Sequence, residues 1–438
     1  EDDEAAQMWK DAGADVKPSA TDSKRYRVRF PKGLVRSLIK TAPREYVQHA
    51  RNPANNVTIG GNNTVFAPVY GPPFIRNLDE GRRYATIEDF RNFAKLVYML
   101  PSLHHAGGTL CEPVDIPVAK RHLDMIYTHI KYSDKPFMAS VTAGERSADS
   151  VAMAEMVFGK DFVDQNCVMT SLINANSPMV WDGVMLGALK VLARANQACV
   201  ISPFIVAGAM SPVTTVGTLT QILAEASVGI AFTQLCRPGA PVVFGTFAAS
   251  MSMQSGAPTF GSPEPAMVTF GAAQLARRMG VPFRSGGSLC GSKLPDAQAA
   301  YETVFSLWGA IMGGGNIIQH AAGWLEGGLV ASYEKFALDV DLLQMMQEFL
   351  KQLGPSEYVQ YALLSSHIYY LNHSGAGEAE AAADRVRHWA ESADAIAVSG
   401  VREARAEGRS GAGIEDLQQL KMAATEIPVR DDSLLTDI

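Results

Sequence analysis

The sequence predicts an α/β protein: a (β/α)8 TIM barrel with N-terminal and C-terminal helical extensions. Three observations lead there. Short apolar runs alternate with helical patterns along most of the chain, which implies parallel strands joined by right-handed crossovers. Eight such units fit in about 270 residues, the size of a (β/α)8 barrel. No GxGxxG follows the first strand and no P-loop occurs, which counts against the runner-up, an open doubly wound sheet.

Residues 1–62 form the N-terminal extension, with a polar helical start, a strand at RYRVRF and a short helix at PKGLVRSLIKTAP. After NPANNVTIGGNN the texture changes, and the barrel is expected over 63–353. Its strands are predicted at VFAPVY (65–70), LHHAGG (103–108), PFMASV (136–141) and CVMTSLIN (167–174). The series continues with CVISPFIV (199–206), PVVFGTF (241–247), VPFRSGG (281–287) and NIIQHAAG (316–323). Helical patterns follow nearly every run: TIEDFRNFAKLVYML, SVAMAEMVFG, DGVMLGALKVLARANQ, TLTQILAEASVGIAFTQL and AMVTFGAAQLARRMG. Thr86 with Asp89 three residues on, and Asp296 before AQAAYETVFSLWGAIM, are helix-start signals. Beyond SYEKFALDVDLLQMMQEFLKQLG the chain turns Ala- and Glu-rich, which predicts a solvated helical extension over 354–438 without chemistry.

Composition narrows the function. With 47% apolar and 19% charged residues among 438, a sizeable core is expected and wholesale disorder is not. Against 45 Asp and Glu stand 38 Lys and Arg, a net charge of −7 without a basic tract. Nucleic acid is therefore excluded as the main partner, since phosphate binding needs clustered cations. Gly, Pro or charges break the apolar stretches before the roughly 20 residues of a membrane span, and no signal peptide is visible. The chain opens without Met, so its true N-terminus is expected upstream. Cys111, Cys167, Cys199, Cys236 and Cys290 are scattered, with no CxxC or HxxxH. Neither a zinc site nor a disulfide framework follows. Buried reduced thiols in a cytoplasmic enzyme are expected, and association of the chain with its own copies.

A barrel gathers its active site at the C-terminal strand ends. Those ends carry Tyr70, Gly107, Gly108, Thr142, Asn174, Asn176, Phe204, Thr246, Phe247 and Arg284, with Gly286 close by. The last run, GNIIQHAAGWLEGGL, adds His320 and Trp324 among glycines, with Glu326 the one nearby carboxylate of that stretch. No Ser-His-Asp set or metal triad emerges, and acid–base or hydrolytic chemistry would want paired carboxylates or histidines. Aromatic faces, amides and one guanidinium suit a small zwitterion with a quaternary ammonium instead. Each ring attracts such a cation by about 0.5–2 kcal/mol, and arginine grips a carboxylate bidentately. Taken singly, His320 reads more readily as a satisfied structural histidine, and Tyr70, Phe204, Phe247 and Trp324 as rim packing. Arg284, between VP and SGG, is harder to assign to structure.

Several long motifs then carry a resemblance: FPKGLVRSLIKTAPREYVQHARNP, VTIGGNN, APVYGPPFIRN, INANSPMVWD, GGSLCGSKLPDAQAAYE and HAAGWLEGGL. Over residues 1–350 the chain resembles the trimethylamine methyltransferase superfamily, in its branch without pyrrolysine that includes glycine betaine methyltransferases. The resemblance implies a (β/α)8 barrel that moves a methyl group from glycine betaine to the Co(I) of a corrinoid (cobalamin), releasing dimethylglycine. A separate small corrinoid protein would carry that cofactor, and no metal would be bound directly. The resemblance implies that His320 lines the substrate pocket, as the catalytic residue. The strand-end reading adds Arg284, Gly286, Tyr70, Phe247 and Trp324 as expected contacts of the quaternary amine, with Asn174 and Asn176 orienting its carboxylate or contacting the corrinoid face. A quaternary ammonium leaves as a neutral tertiary amine, whereas trimethylamine needs prior activation, for which its methyltransferases use pyrrolysine. Every position here is a standard residue. Trimethylamine, carnitine or proline betaine as substrate, or a non-catalytic betaine-binding barrel, are the alternatives. The resemblance also implies a Gly-His-rich stretch after the last barrel helix, where SSHIYYLNHSGAGEAE stands instead.

Overall fold

Seven of the eight predicted runs are strands in the computed structural model, which describes residues 1–350 except Thr21 and Ser23. They are β1 (Val65–Phe66), β2 (Phe137–Met138), β3 (Met169–Ala175), β4 (Ala198–Ala207), β5 (Val242–Gly245), β6 (Phe283–Gly286) and β7 (Ile317–Gln319). Their order across the sheet is β2–β3–β4–β5–β6–β7–β1, every pair parallel. Helices α1 (Ile87–Met99), α2 (Arg121–Tyr132), α3 (Gly144–Phe158), α4 (Gly183–Arg194), α5 (Thr215–Cys236), α6 (Pro263–Met279) and α7 (Ala297–Met312) alternate with them, and α8 (Tyr333–Leu350) follows β7. As predicted, Thr86 and Asp89 close a capping box on α1, and the Asp296 side chain accepts from Ala299 N to start α7.

The run LHHAGG, predicted as a strand, is irregular. Gly107 sits at φ 81°, outside the extended region, so no ladder continues through it. The segment is nonetheless bonded on both sides. His104 N and His105 N donate to Phe66 O at 3.0 and 3.2 Å, Ala106 N to Pro136 O at 2.7 Å, and Met138 N to Gly107 O at 2.9 Å. Lys135 Nζ donates to Val97 O, Leu100 O and Leu103 O, tying the end of α1 to this segment. The architecture is mixed α/β with a distorted barrel-like core.

Inside the sheet, Val65, Leu172, Val200, Val243 and Ile317 form an apolar layer. Tyr46, Val57 and Ile59 join it from an antiparallel pair, Glu45–Gln48 with Val57–Gly60. Residues 1–62 are thus more than a polar extension. The helix Asp3–Asp11 buries Ala5, Ala6 and Trp9, whose ring lies 4.7 Å from Phe30 and 6.0 Å from Phe232 of α5.

The helix α5 corrects a second expectation, because its 22 residues are long and apolar enough to cross a membrane. Glycines inside it made the stretch look interrupted. Gly229 is needed for packing: a Cβ there would lie 2.6 Å from Ile201 and from the Trp181 ring. Ile222, Ala226 and Ile230 are fully buried in the layer between helices and sheet. The chain divides into two units, Glu1–Gln347 and Glu348–Ile438. SSHIYYLNHSGAGEAE and the rest of the predicted extension 354–438 lie outside the described residues.

Candidate functional site

Register places Arg284 in the interior. It pairs with Ile317 of the apolar layer on one side and with Gly245 on the other. Residues two apart on a strand share a face, so Gln319 of β7 points the same way. Arg284 is 1% exposed. Its Nε and Nη2 donate to Gln319 Oε1 at 2.9 and 2.7 Å, and Nη1 to Thr246 O at 3.0 Å and Ser202 Oγ at 3.4 Å. Nη2 also meets His320 Nε2 at 3.1 Å. Among the described residues no carboxylate bonds to it. Burial pulls the guanidinium down to about 9, so it stays charged at neutral pH. A buried cation with only neutral partners is costly unless an anion joins it.

His320 follows directly at the end of β7. Its Nε2 faces an obligate donor, so that nitrogen accepts and Nδ1 carries the proton. Nδ1 is buried without a partner. Burial first, and Arg284 second, hold the imidazole well below its ordinary pKa, so it is neutral. The backbone is pinned at φ 60°: His320 N donates to Pro68 O at 3.0 Å, and its carbonyl accepts from Ser288 N and Oγ at 2.8 and 2.7 Å.

Aromatic rings surround this pair. The His320 ring lies 4.4 Å from Trp324, 5.3 Å from Phe247 and 6.4 Å from Tyr70. Phe247 in turn stands 5.6 Å from Phe204, 5.3 Å from Phe260 and 5.8 Å from Trp324. Arg284 Cζ lies 5.6 Å from the Phe247 centroid. Phe204 and Phe247 are half-buried on the paired ends of β4 and the segment Phe247–Met251. Trp324 Nε1, like His320 Nδ1, has no partner.

The glycines of HAAGWLEGGL serve this packing. Gly328 adopts φ 98°, and a Cβ there would lie 2.5 Å from the indole of Trp324. At Gly323, φ 93°, the N–H donates to Asp339 Oδ2 at 2.8 Å. Asp339 is buried against Lys335, whose Nζ also donates to Thr303 Oγ1 at 2.7 Å. What comes close to this backbone is thus, first of all, the protein's own indole. Glu326 ion-pairs with Arg82 at 3.2 Å, so that carboxylate is engaged outside the Arg284 cluster.

The remaining predicted residues divide. Half-buried Tyr70 packs on Gly108, where a Cβ would meet its ring at 2.7 Å, and burial raises its phenol pKa. Gly286 pairs with Gln319. Asn174, exposed, shares the inner face with Leu172 and pairs with Ser202. Asn176 is not brought to the cluster by any bond, since its Oδ1 accepts from Asp182 N at 3.2 Å. Thr142 is exposed and accepts from Arg146. Gln319, Ser202 and Phe260 escaped the sequence reading. A lone polar residue in an apolar strand run, as in IIQH and VISPF, was the available signal for the first two. A cavity of about 210 Å³ lies elsewhere, among Trp9, Phe30, Trp181 and Phe232.

The profile of a family described as Trimethylamine methyltransferase (MTTB) matches residues 1–360, and that of Domain of unknown function (DUF8753) matches residues 362–431. Glycine betaine methyltransferase of Desulfitobacterium hafniense (strain Y51) is 46% identical over 326 residues, 74% of this chain and 68% of that protein. Proline betaine:corrinoid methyltransferase of Eubacterium limosum is 26% identical over 358 residues, 78% of this chain and 71% of its own. The crystal structure of monomethylamine methyltransferase (MtmB) from Methanosarcina barkeri superposes with TM-score 0.52 at 9% identity, covering 78% of this chain and 73% of that one. That last likeness is one of fold alone.

Proposed function

The chain belongs to the trimethylamine methyltransferase (MTTB) family and is a methyltransferase, and from that premise we propose that it moves a methyl group from glycine betaine to the Co(I) corrinoid of a partner protein, releasing dimethylglycine. The observation that carries the substrate is Arg284, a fully buried cation whose partners among the described residues are all neutral, set beside an aromatic cluster. A carboxylate would complete the first and a quaternary ammonium the second. We read the core as a (β/α)8 barrel completed by the segment 103–108, with this cluster at its C-terminal end.

The methyl acceptor is a substrate of the reaction: reduced cobalt, brought by the corrinoid protein, attacks the methyl carbon in line with the C–N bond. The electron pair of that bond goes to nitrogen, so dimethylglycine leaves as a neutral tertiary amine and no proton has to move. Arg284 would hold the carboxylate, and His320 Nδ1–H is a donor left for a substrate oxygen. Phe247, Trp324 and Tyr70 would hold the ammonium. Positioning and a dry, aromatic surround account for the chemistry asked of the chain. His320 is then an orienting group, not a general base.

An anaerobic assay of corrinoid methylation tests the reading, with glycine betaine, proline betaine, carnitine, trimethylamine and tetramethylammonium as donors. Glycine betaine is expected to be the fastest. Turnover confined to carboxylate-free amines, or betaine binding without methyl transfer, would refute it.

A further inference from the structure

Arg284 could have been neutralised from within, yet no described residue does so. Its Nε and Nη2, the two donors that grip a carboxylate side-on, both end on one atom, Gln319 Oε1, at 2.9 and 2.7 Å. Gln319 is 0% exposed, and its own Nε2 has only the Met138 thioether at 3.5 Å, a weak acceptor. A glutamate has the same shape and would place an oxygen on the same donors as a charged pair. An amide fixes the guanidinium plane and leaves its charge uncompensated. The remaining partners, Thr246 O, Ser202 Oγ and neutral His320, are uncharged too.

We propose that Gln319 is a specificity-determining positioning residue: its neutral oxygen orients Arg284 while reserving the positive charge for the carboxylate of the substrate. This rests on the reading that a carboxylate-bearing quaternary amine binds here. The site favours zwitterions over simple quaternary amines because the protein keeps one buried cation unsatisfied. Whatever stability that charge costs is returned only when the correct substrate enters.

The test compares wild type, Gln319→Glu and Gln319→Met in three measurements: melting temperature without ligand, and dissociation constants for glycine betaine and for tetramethylammonium by calorimetry. Gln319→Glu is expected to raise the melting temperature, since Arg284 gains a counter-charge. It should weaken glycine betaine at least thirtyfold and leave tetramethylammonium within threefold. A merely structural glutamine predicts the opposite for stability and equal loss of both ligands, and either result overturns the proposal. If Gln319→Glu does not fold, Gln319→Met keeps the charge but frees the guanidinium. Glycine betaine should then weaken about tenfold with tetramethylammonium unchanged, and unaltered betaine binding overturns the proposal. Wild type that binds no carboxylate-bearing quaternary amine refutes the substrate reading itself. Wild type that does, with both variants unaffected, refutes only the role of Gln319.

Discussion

Arg284 and His320 are neighbours whose states are set by one another. The guanidinium donates to Nε2 at 3.1 Å and repels a proton from the ring, which burial disfavours already. Arg284→Ala is expected to weaken glycine betaine by about 2–4 kcal/mol, the loss of a buried charge-assisted contact. A carboxylate-free quaternary amine should suffer much less, and equal loss on both in steady-state kinetics would assign Arg284 to structure. For His320→Ala, methyl transfer should fall at least tenfold, about 1.4 kcal/mol in the barrier, with the melting temperature nearly kept. Because the ring stays neutral far below pH 6.5, the rate should show no inflection that disappears in this variant. A catalytic pKa lost with His320 would make it a general base.

At the scale of elements, the turn after β7 is held by α8. Lys335 and Asp339, one helical turn apart and both buried, bind each other, and Asp339 accepts from Gly323 N. Removing one partner of such a pair leaves a buried charge, so Asp339→Ala should cost about 3–5 kcal/mol in urea denaturation. It should also lower activity, because the same turn sets Trp324. The capping box of α1 makes the contrast: Thr86→Ala removes one cap for about 1 kcal/mol, away from the Arg284 cluster, and kcat should hold. Loss of activity in the Thr86 variant equal to that in the Asp339 variant would show that stability alone governs the site.

For the whole molecule, buried neutral histidines set the response to acid. Burial lowers His105 to about 3 and His129 to about 4, and holds His320 well below 6.5. Their pKa values are depressed on folding, so between about 6.5 and 4 the unfolded chain binds protons that the native state refuses. Stability is therefore full above pH 6.5 and falls as pH drops through that window, by up to about 1.4 kcal/mol per unit for each group. Carboxylates such as Glu4, lowered to about 2, contribute only to a later loss below about pH 4. Urea midpoints measured from pH 7.5 to 4.5 should decline from near 6.5, and a flat profile down to 4.5 would contradict this. The loops after the strands also carry exposed apolar side chains, Met179, Val213, Met253 and Leu294. In a barrel these belong to the C-terminal face. Val213→Asp with Met253→Asp should raise KM for the corrinoid protein and spare KM for betaine. An unchanged carrier KM would place docking elsewhere.

Much of this was legible as local pattern. Alternating runs and caps at Thr86 and Asp296 announced strand, helix and order, because periodicity and capping depend on neighbours a few residues apart. His320, directly after β7, was legible as a strand-end residue for the same reason, whereas Arg284 is the second residue of β6 and Trp324 lies five residues beyond β7. The irregular segment 103–108 was not, since it turns on the φ of Gly107 and on three carbonyls held by Lys135. Nor was the packing of Trp9 on Phe232, more than 200 positions away. The absence of a counter-charge for Arg284 among the described residues was hidden most completely. Its partners Ser202, Thr246 and Gln319 come from positions 82, 38 and 35 residues away, on β4, just after β5 and on β7. Parallel register alone brings them to one guanidinium, and a charge is left open or closed by what surrounds it in space, which folding sets.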